Sequence, residues 1–148
     1  MAANFDIGVM PWSPLAMGVL TGKYTRDDRS PDSGRAEWAN RYVTDDVFDT
    51  LDLMADIAAE HNTTVANVAL AWVRQRPGVT STLIGARTLD QLAANLSSLE
   101  VTLDNAAMAR LTEQTTPALN YPADFLNTGA VVYQQGGTTI NGVSPATP

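Results

Sequence analysis

The chain of 148 residues has no cysteine, one histidine (His61) and one lysine (Lys23). Without cysteine there are no disulfides and no thiolate metal sites, and nothing in the sequence marks a redox compartment. It also lacks any apolar run near the roughly 18 residues that suggest a membrane span. Its first residues lack the basic start and apolar stretch of a secretory signal. The expectation is a soluble, cytoplasmic protein with no membrane partner. Positive charge is scarce: Lys and Arg total 9 against 16 Asp and Glu, a formal net charge of −7. That balance disfavours nucleic acid, whose non-specific binding needs basic surface. It still allows one phosphate-bearing ligand, because a few cations act locally. What is present is a hydrophobic share of 45%, enough to supply a core.

Ile7-Gly8-Val9-Met10 is a brief apolar run and reads as a short buried strand. Pro11-Trp12-Ser13-Pro14-Leu15-Ala16-Met17-Gly18-Val19-Leu20-Thr21 follows, running on into Gly22-Lys23-Tyr24. An aromatic, a hydroxyl, prolines and spaced glycines make this a stiff loop at the strand's C-terminal end. Lys23 to Arg41 has the composition of polar, mobile surface. Thr44-Asp45-Asp46 opens a helix with acid at its positive dipole end. Val47, Leu51, Met54 and Ile57-Ala58 form its apolar stripe, and His61-Asn62 ends it. The carboxylates Asp45, Asp46, Asp49, Asp52 and Asp56 read as its solvated face.

Thr63 or Thr64 caps the next helix, whose Val65, Val68, Ala69, Trp72 and Val73 share a face until Pro77-Gly78 breaks it. Ser81-Thr82-Leu83-Ile84 supplies a second strand. Thr88 with Gln91 three residues on has the capping-box pattern, and Leu92, Leu96 and Leu99 are expected on the buried side of that helix. Asp104 caps a short last helix through Met108 and Leu111. From Thr115 onward Pro, Thr, Gly and Asn prevail. The expected organisation is therefore a domain over 1–115 and a C-terminal loop or tail over 116–148, loosest from Gln134 to Pro148.

Taken singly, most of the conspicuous residues have ordinary readings. Trp12 reads as a half-buried core aromatic, Lys23 as a solvated charge, Trp72 as core and His61 as a helix-end cation. Arg87 is less comfortable, because a cation beside a helix start opposes the dipole. Unpaired N–H groups at Thr88 to Gln91 favour an anion there. Gly85 leaves room for close backbone approach, and the Arg87 guanidinium is a planar fork suited to phosphate oxygens.

Together the motifs carry a resemblance. Trp12-Ser13-Pro14-Leu15-Ala16 with Gly18, Leu20-Thr21-Gly22-Lys23-Tyr24 resembles the loop after the seventh strand of the aldo-keto reductase family. Val68-Ala69-Leu70-Ala71-Trp72-Val73 and Arg76-Pro77-Gly78-Val79 are similar to the helix leading into that family's eighth strand. Leu83-Ile84-Gly85-Ala86-Arg87-Thr88 through Leu96 is similar to its cofactor loop and last barrel helix. The likeness runs from about Ile7 to the Tyr121-Pro122 region, and is nearest to the subgroup of potassium-channel β subunits and bacterial reductases.

The resemblance implies an α/β fold, the C-terminal part of a (β/α)8 TIM barrel: two parallel strands with flanking helices, incomplete as a barrel. A full barrel needs roughly 250 residues. It further implies NADP(H) as cofactor, preferred over NAD(H). Trp12 would stack on the nicotinamide; Ser13, Leu15 and Gly18 would follow the pyrophosphate, with Lys23 near that bridge. Gly85 and Arg87 would meet the adenosine 2′-phosphate, and Gln91 and Asn95 the adenine side. Arg35 matches another basic position. Ala94 stands where the family usually has an acid before the asparagine, weakening the adenine contact.

The family's proton-transfer set of Asp, Tyr, Lys and His belongs to earlier strands and has no counterpart here, so no catalytic or metal-binding residue is expected. Small-molecule carbonyls are substrates of the full-length family. Three readings stay open: an NADP(H)-linked oxidoreductase of which this is the cofactor-side half, a non-catalytic nucleotide-binding remnant, and a truncated nonfunctional fragment. Parallel strands want both edges paired. The isolated chain is therefore expected to be inactive and marginal in stability, or to depend on a complementing N-terminal half or an oligomer.

Overall fold

A computed structural model of the chain describes residues 2–29 and 36–126. The chain divides into two compact units, Met1–Thr115 and Thr116–Pro148. The helices of the first are α1 (Ala36–Ala39), α2 (Asp45–Glu60), α3 (Val65–Arg74), α4 (Leu89–Leu96) and α5 (Asn105–Thr115). Short 3-10 segments lie at Ala2–Phe5, Asn40–Tyr42 and Ser97–Glu100, and a kinked one at Ala16–Thr21. In the second unit a short α6 (Ala123–Phe125) is described, with the Tyr121 and Phe125 rings 6.3 Å apart. The expected loose stretch from Gln134 to Pro148 lies outside the described residues. No described helix is long and apolar enough to cross a membrane.

The helix ends follow the sequence chemistry. Thr44 has extended backbone before α2, and Asp45 and Asp46 fill its first turn. The His61 N–H donates to the Ile57 carbonyl and closes the helix, with Asn62 left-handed at φ 51 beyond it. Thr64 caps α3 by accepting from the Asn67 N–H at 3.2 Å. Asp104 caps α5 by accepting from the Ala107 N–H at 2.8 Å. Each such cap satisfies an orphan donor of the first turn and stabilises its helix by about 1 kcal/mol.

The core is helical. Met54, Ile57 and Ala58 of α2, Val68, Ala69 and Ala71 of α3, Leu103, and Ala107 and Leu111 of α5 form one buried cluster. A second cluster joins Val19, Tyr24, Ala39, Phe48 and Leu51, with Leu20 and Val65 packed against both. Trp72 is only half-buried at the edge of the first cluster, with the Arg76 guanidinium 5.1 Å from its ring. Polar ties complete the frame. The Asn67 amide donates to the Thr63 and Ser97 hydroxyls, and Arg74 donates to the Val101 carbonyl at 2.7 Å.

Three expectations need correction. The two strands do lie side by side and parallel, but among the described residues they form only isolated bridges, Val9 with Val79 and Trp12 with Leu83. The Val9 N–H donates to Gly78, the Thr80 N–H to Val9 and the Leu83 N–H to Pro11. Residues 10 and 11 thus face 80, 81 and 82: one extra residue on the second segment, a bulge that breaks the ladder's phase. Pro11 also has no N–H to return. With the outer edges unpaired, Ile7, Val9, Met10, Leu83 and Ile84 are exposed, not buried.

Second, Leu92, Leu96 and Leu99 are exposed, the last by 62%. The apolar face of α4 has the expected spacing and no described neighbour thick enough to cover it. Third, the stretch read as polar loop to Arg41 is helical over α1 and the turn after it, because Ala39 is buried in the second cluster.

Candidate functional site

The loop from Pro11 to Tyr24 is held in strained backbone. Ser13, Ala16 and Met17 are left-handed at φ 57, 47 and 58, and Gly18 and Gly22 have φ 99 and 83. Each non-glycine residue held so costs on the order of 1–3 kcal/mol, a cost tolerated only where surroundings enforce it. Here Val19 is fully buried and Leu15 and Leu20 pack on the core. Internal hydrogen bonds fix the path: Ala16 N–H to Ser13 at 2.9 Å, Gly18 N–H to Leu15 at 2.8 Å, and the Thr21 hydroxyl to the Gly18 carbonyl at 2.7 Å. The Ser13 hydroxyl lies 3.7 Å from the Met17 sulfur, a weak acceptor.

Gly18 is required on two counts. Its φ is one L residues rarely adopt, and a Cβ there would stand 3.2 Å from the Lys23 Nζ. The Lys23 side chain therefore folds back along the loop. Trp12 is 73% exposed, so its ring is no part of the core. Nothing in the sequence pointed to the left-handed Ala16 and Met17; both residue types ordinarily avoid that region.

The second segment approaches from the neighbouring chain end. The Trp12–Leu83 bridge sets the Trp loop beside the run that leads into Gly85 and Arg87. Thr88 caps α4, accepting from the Gln91 N–H at 3.2 Å. The return bond of the capping box is displaced by one residue: the Gln91 Oε1 accepts from the Arg87 N–H at 2.9 Å. The Asn95 amide donates to the Gly85 carbonyl at 3.4 Å. Gln91 and Asn95 thus brace the 85–87 loop from one helix face, four residues apart. A Cβ at Gly85 would meet nothing within 4 Å, so the space over it is open.

The charges sort themselves. Arg26 pairs with Asp49 at 2.6 Å and Asp52 at 2.9 Å, Arg29 with Asp45 at 2.6 Å, and Arg110 with Glu60 at 2.9 Å. The helix face read as solvated is thus partly engaged by arginines far away in sequence. Bonding to Asp49, then Asp52, raises the Arg26 pKa above its ordinary value. Arg74 and Arg76 are hydrogen-bonded to the Val101 carbonyl and the Thr112 hydroxyl, and Arg41 lies over the Trp38 and Tyr42 rings. Among the described residues the Lys23 ammonium has only the Tyr24 ring as a charge partner, at 5.4 Å. Arg87 is exposed and has no side-chain hydrogen bond, ion pair or ring contact among the described residues. Arg35 lies outside them.

Of the candidate residues, Trp12, Ser13, Leu15, Gly18 and Lys23 share one loop, and Gly85, Arg87, Gln91 and Asn95 share the adjoining loop and helix. Tyr24, although next to Lys23, is 2% exposed, and its buried hydroxyl has no hydrogen-bond partner among the described residues. His61 sits at the end of α2.

Comparison with known protein families matches residues 1–115 to the Aldo/keto reductase family. Among similar proteins, a "Probable voltage-gated potassium channel subunit beta" of Arabidopsis thaliana is 39% identical over 103 residues, 66% of this chain and 31% of that protein. "Protein tas" of Escherichia coli (strain K12) is 34% identical over 119 residues, 79% of this chain and 34% of that protein. "Uncharacterized oxidoreductase YrpG" of Bacillus subtilis (strain 168) is 33% identical over 113 residues, 76% of this chain and 33% of that protein. The chain spans about a third of the length of the relatives it matches. The match covers the whole of the first compact unit and both loops of the site, and the chain belongs to the aldo/keto reductase family.

Proposed function

We propose that this chain supplies the dinucleotide-holding face of an NADP(H)-dependent oxidoreductase that reduces small-molecule carbonyls or oxidises the corresponding alcohols. The observation that carries this is the state of the cations. Among the described residues Arg87 has no partner, beside a helix start that already favours anions, and Lys23 has a ring alone, while the other cations are engaged in pairs, hydrogen bonds or ring stacks. An uncompensated cation at the positive end of a helix is explained by a bound anion.

The residues fit such a cofactor. Open space above Gly85 admits a backbone-hugging phosphate, and the Arg87 fork takes the 2′-phosphate. Gln91 keeps its amide Nε2 and Asn95 its Oδ1 for the adenine side, since the groups opposite them already hold the loop. Ser13, Leu15 and Gly18 line the pyrophosphate path, with Lys23 at its edge. The exposed Trp12 ring offers a flat face against which a flat nicotinamide is oriented. When bound, the cofactor supplies the hydride.

The parallel bridges support reading the two segments as the last two strands of a (β/α)8 barrel. The remaining strands, and the acid that protonates the carbonyl oxygen, belong to an N-terminal half, covalently joined or complementing, or to an oligomer in a cytoplasmic assembly. Alone, the chain is inactive. The buried Tyr24 hydroxyl favours a second reading on the same site, a remnant that holds nucleotide without turnover.

Titration with NADPH, read by quenching of Trp12 fluorescence against a Trp12→Phe control, tests the binding reading. Quenching is expected with NADPH before NADH; none at millimolar cofactor would leave only a nonfunctional fragment. Aldehyde-dependent NADPH oxidation by this chain would overturn its inactivity alone.

A further inference from the structure

Lys23 lies one residue before Tyr24, which is buried beside Phe48 in the second core cluster. Just beyond, the chain makes a closed turn: the Thr25 N–H donates to the Asp28 carbonyl and the Asp28 N–H to the Thr25 hydroxyl, both at 3.0 Å. Arg26 projects from that turn onto α2. Its Nη2 reaches Asp49 at 2.6 Å and Asp52 at 2.9 Å, and its Nε reaches Asp52 at 3.3 Å. Asp49 and Asp52 are three residues apart on one helix face, a spacing that a single planar guanidinium bridges. Arg29 adds a bond to Asp45, and both guanidiniums lie on the Phe48 ring, at 5.8 and 4.9 Å. Phe48 thus shares a core cluster with Tyr24 and has two arginines over its ring.

From this geometry we infer that Arg26 is a positioning residue for the pyrophosphate side of the cofactor site. The inference rests on the cofactor reading above. Strapped to α2 at Arg26 and anchored in the core at Tyr24, the chain has little freedom at Lys23, and Lys23 in turn lies along Gly18. The strap reaches no ligand. It keeps populated the loop arrangement that receives one, and apparent affinity scales with that population. Its parts are exposed and charged, so added salt weakens it.

The test compares Arg26→Gln with the unaltered chain for two ligands. NADPH spans both ends of the site; adenosine 2′-monophosphate engages only the Arg87 end. The Kd for NADPH is expected to rise about five- to tenfold. The Kd for adenosine 2′-monophosphate stays within twofold. Asp49→Asn with Asp52→Asn in one chain reproduces the pattern, Arg26→Lys restores part of the loss, and in high salt the gap between Arg26→Gln and the unaltered chain narrows. An unchanged NADPH Kd in Arg26→Gln overturns the inference alone. Equal loss for both ligands makes Arg26 general scaffolding and overturns it too. If the unaltered chain binds neither ligand, the cofactor reading falls and takes the strap's role with it.

Discussion

Arg87→Ala separates binding from folding, because the two effects have opposite signs. The side chain is exposed and makes no hydrogen bond, ion pair or ring contact among the described residues, so its removal breaks no intramolecular bond there. The bond that ties this residue to Gln91 uses the backbone N–H and survives in alanine. Removing a cation from the positive end of α4 relieves an unfavourable interaction of roughly 0.3–1 kcal/mol. Stability should therefore hold or rise slightly, read as the urea midpoint of far-UV circular dichroism. Binding should move the other way. Hydrogen bonds to a charged group are worth about 1.5–3 kcal/mol, so NADPH affinity falls by roughly ten- to a hundredfold. NADH lacks the 2′-phosphate, and its affinity stays within about twofold. Fluorescence titration of both cofactors against both proteins measures all four constants. Equal weakening for NADPH and NADH, or a lower urea midpoint, would refute the assignment of the guanidinium to the 2′-phosphate.

Other substitutions probe the frame. Gly18→Ala must take φ 99 and press on the Lys23 ammonium, costing on the order of 1–2 kcal/mol in chemical denaturation; a neutral result would mean the loop relaxes. Leu111→Ala in the fully buried core should cost about 2–5 kcal/mol, while Leu99→Ser stays within roughly 0.5 kcal/mol because that side chain faces solvent. Comparable losses at the two leucines would show the α4 face to be covered. Thr64→Ala removes the α3 cap and should lower stability by about 1 kcal/mol, with Thr64→Ser restoring most of it. Because the Arg26 pKa is raised, titration of the guanidinium itself removes its contribution only above the ordinary arginine value. Raising the pH through the mildly alkaline range should leave the strap's contribution unchanged, whereas salt should diminish it.

The sequence foretold best what is local. Helix starts at Thr64, Thr88 and Asp104 depend on one side chain reaching an N–H three residues on; the last two were legible from residue type and spacing, and the first as one of the pair Thr63 and Thr64. The Trp loop and the Gly85–Asn95 run were found by motif, and they adjoin through the Trp12–Leu83 bridge. The strands were misjudged because alternation says which residues can form a strand, but a ladder needs a partner in register. One extra residue between Val79 and Leu83 was enough to break it. Leu92, Leu96 and Leu99 were misjudged for a related reason: apolar spacing marks a face, and burial requires a second surface against it.

Composition and short-range pattern alone settled that this is a disulfide-free, acidic chain with capped amphipathic helices and two glycine-bearing loops. Those features are governed by interactions within about one helical turn or one loop. Which carboxylates Arg26 meets, how three left-handed residues are tolerated between Ser13 and Met17, and which cations are left unengaged were decided only by the packed chain. Each depends on groups brought close from distant positions, and electrostatic and packing energies fall off with distance in space, not along the sequence.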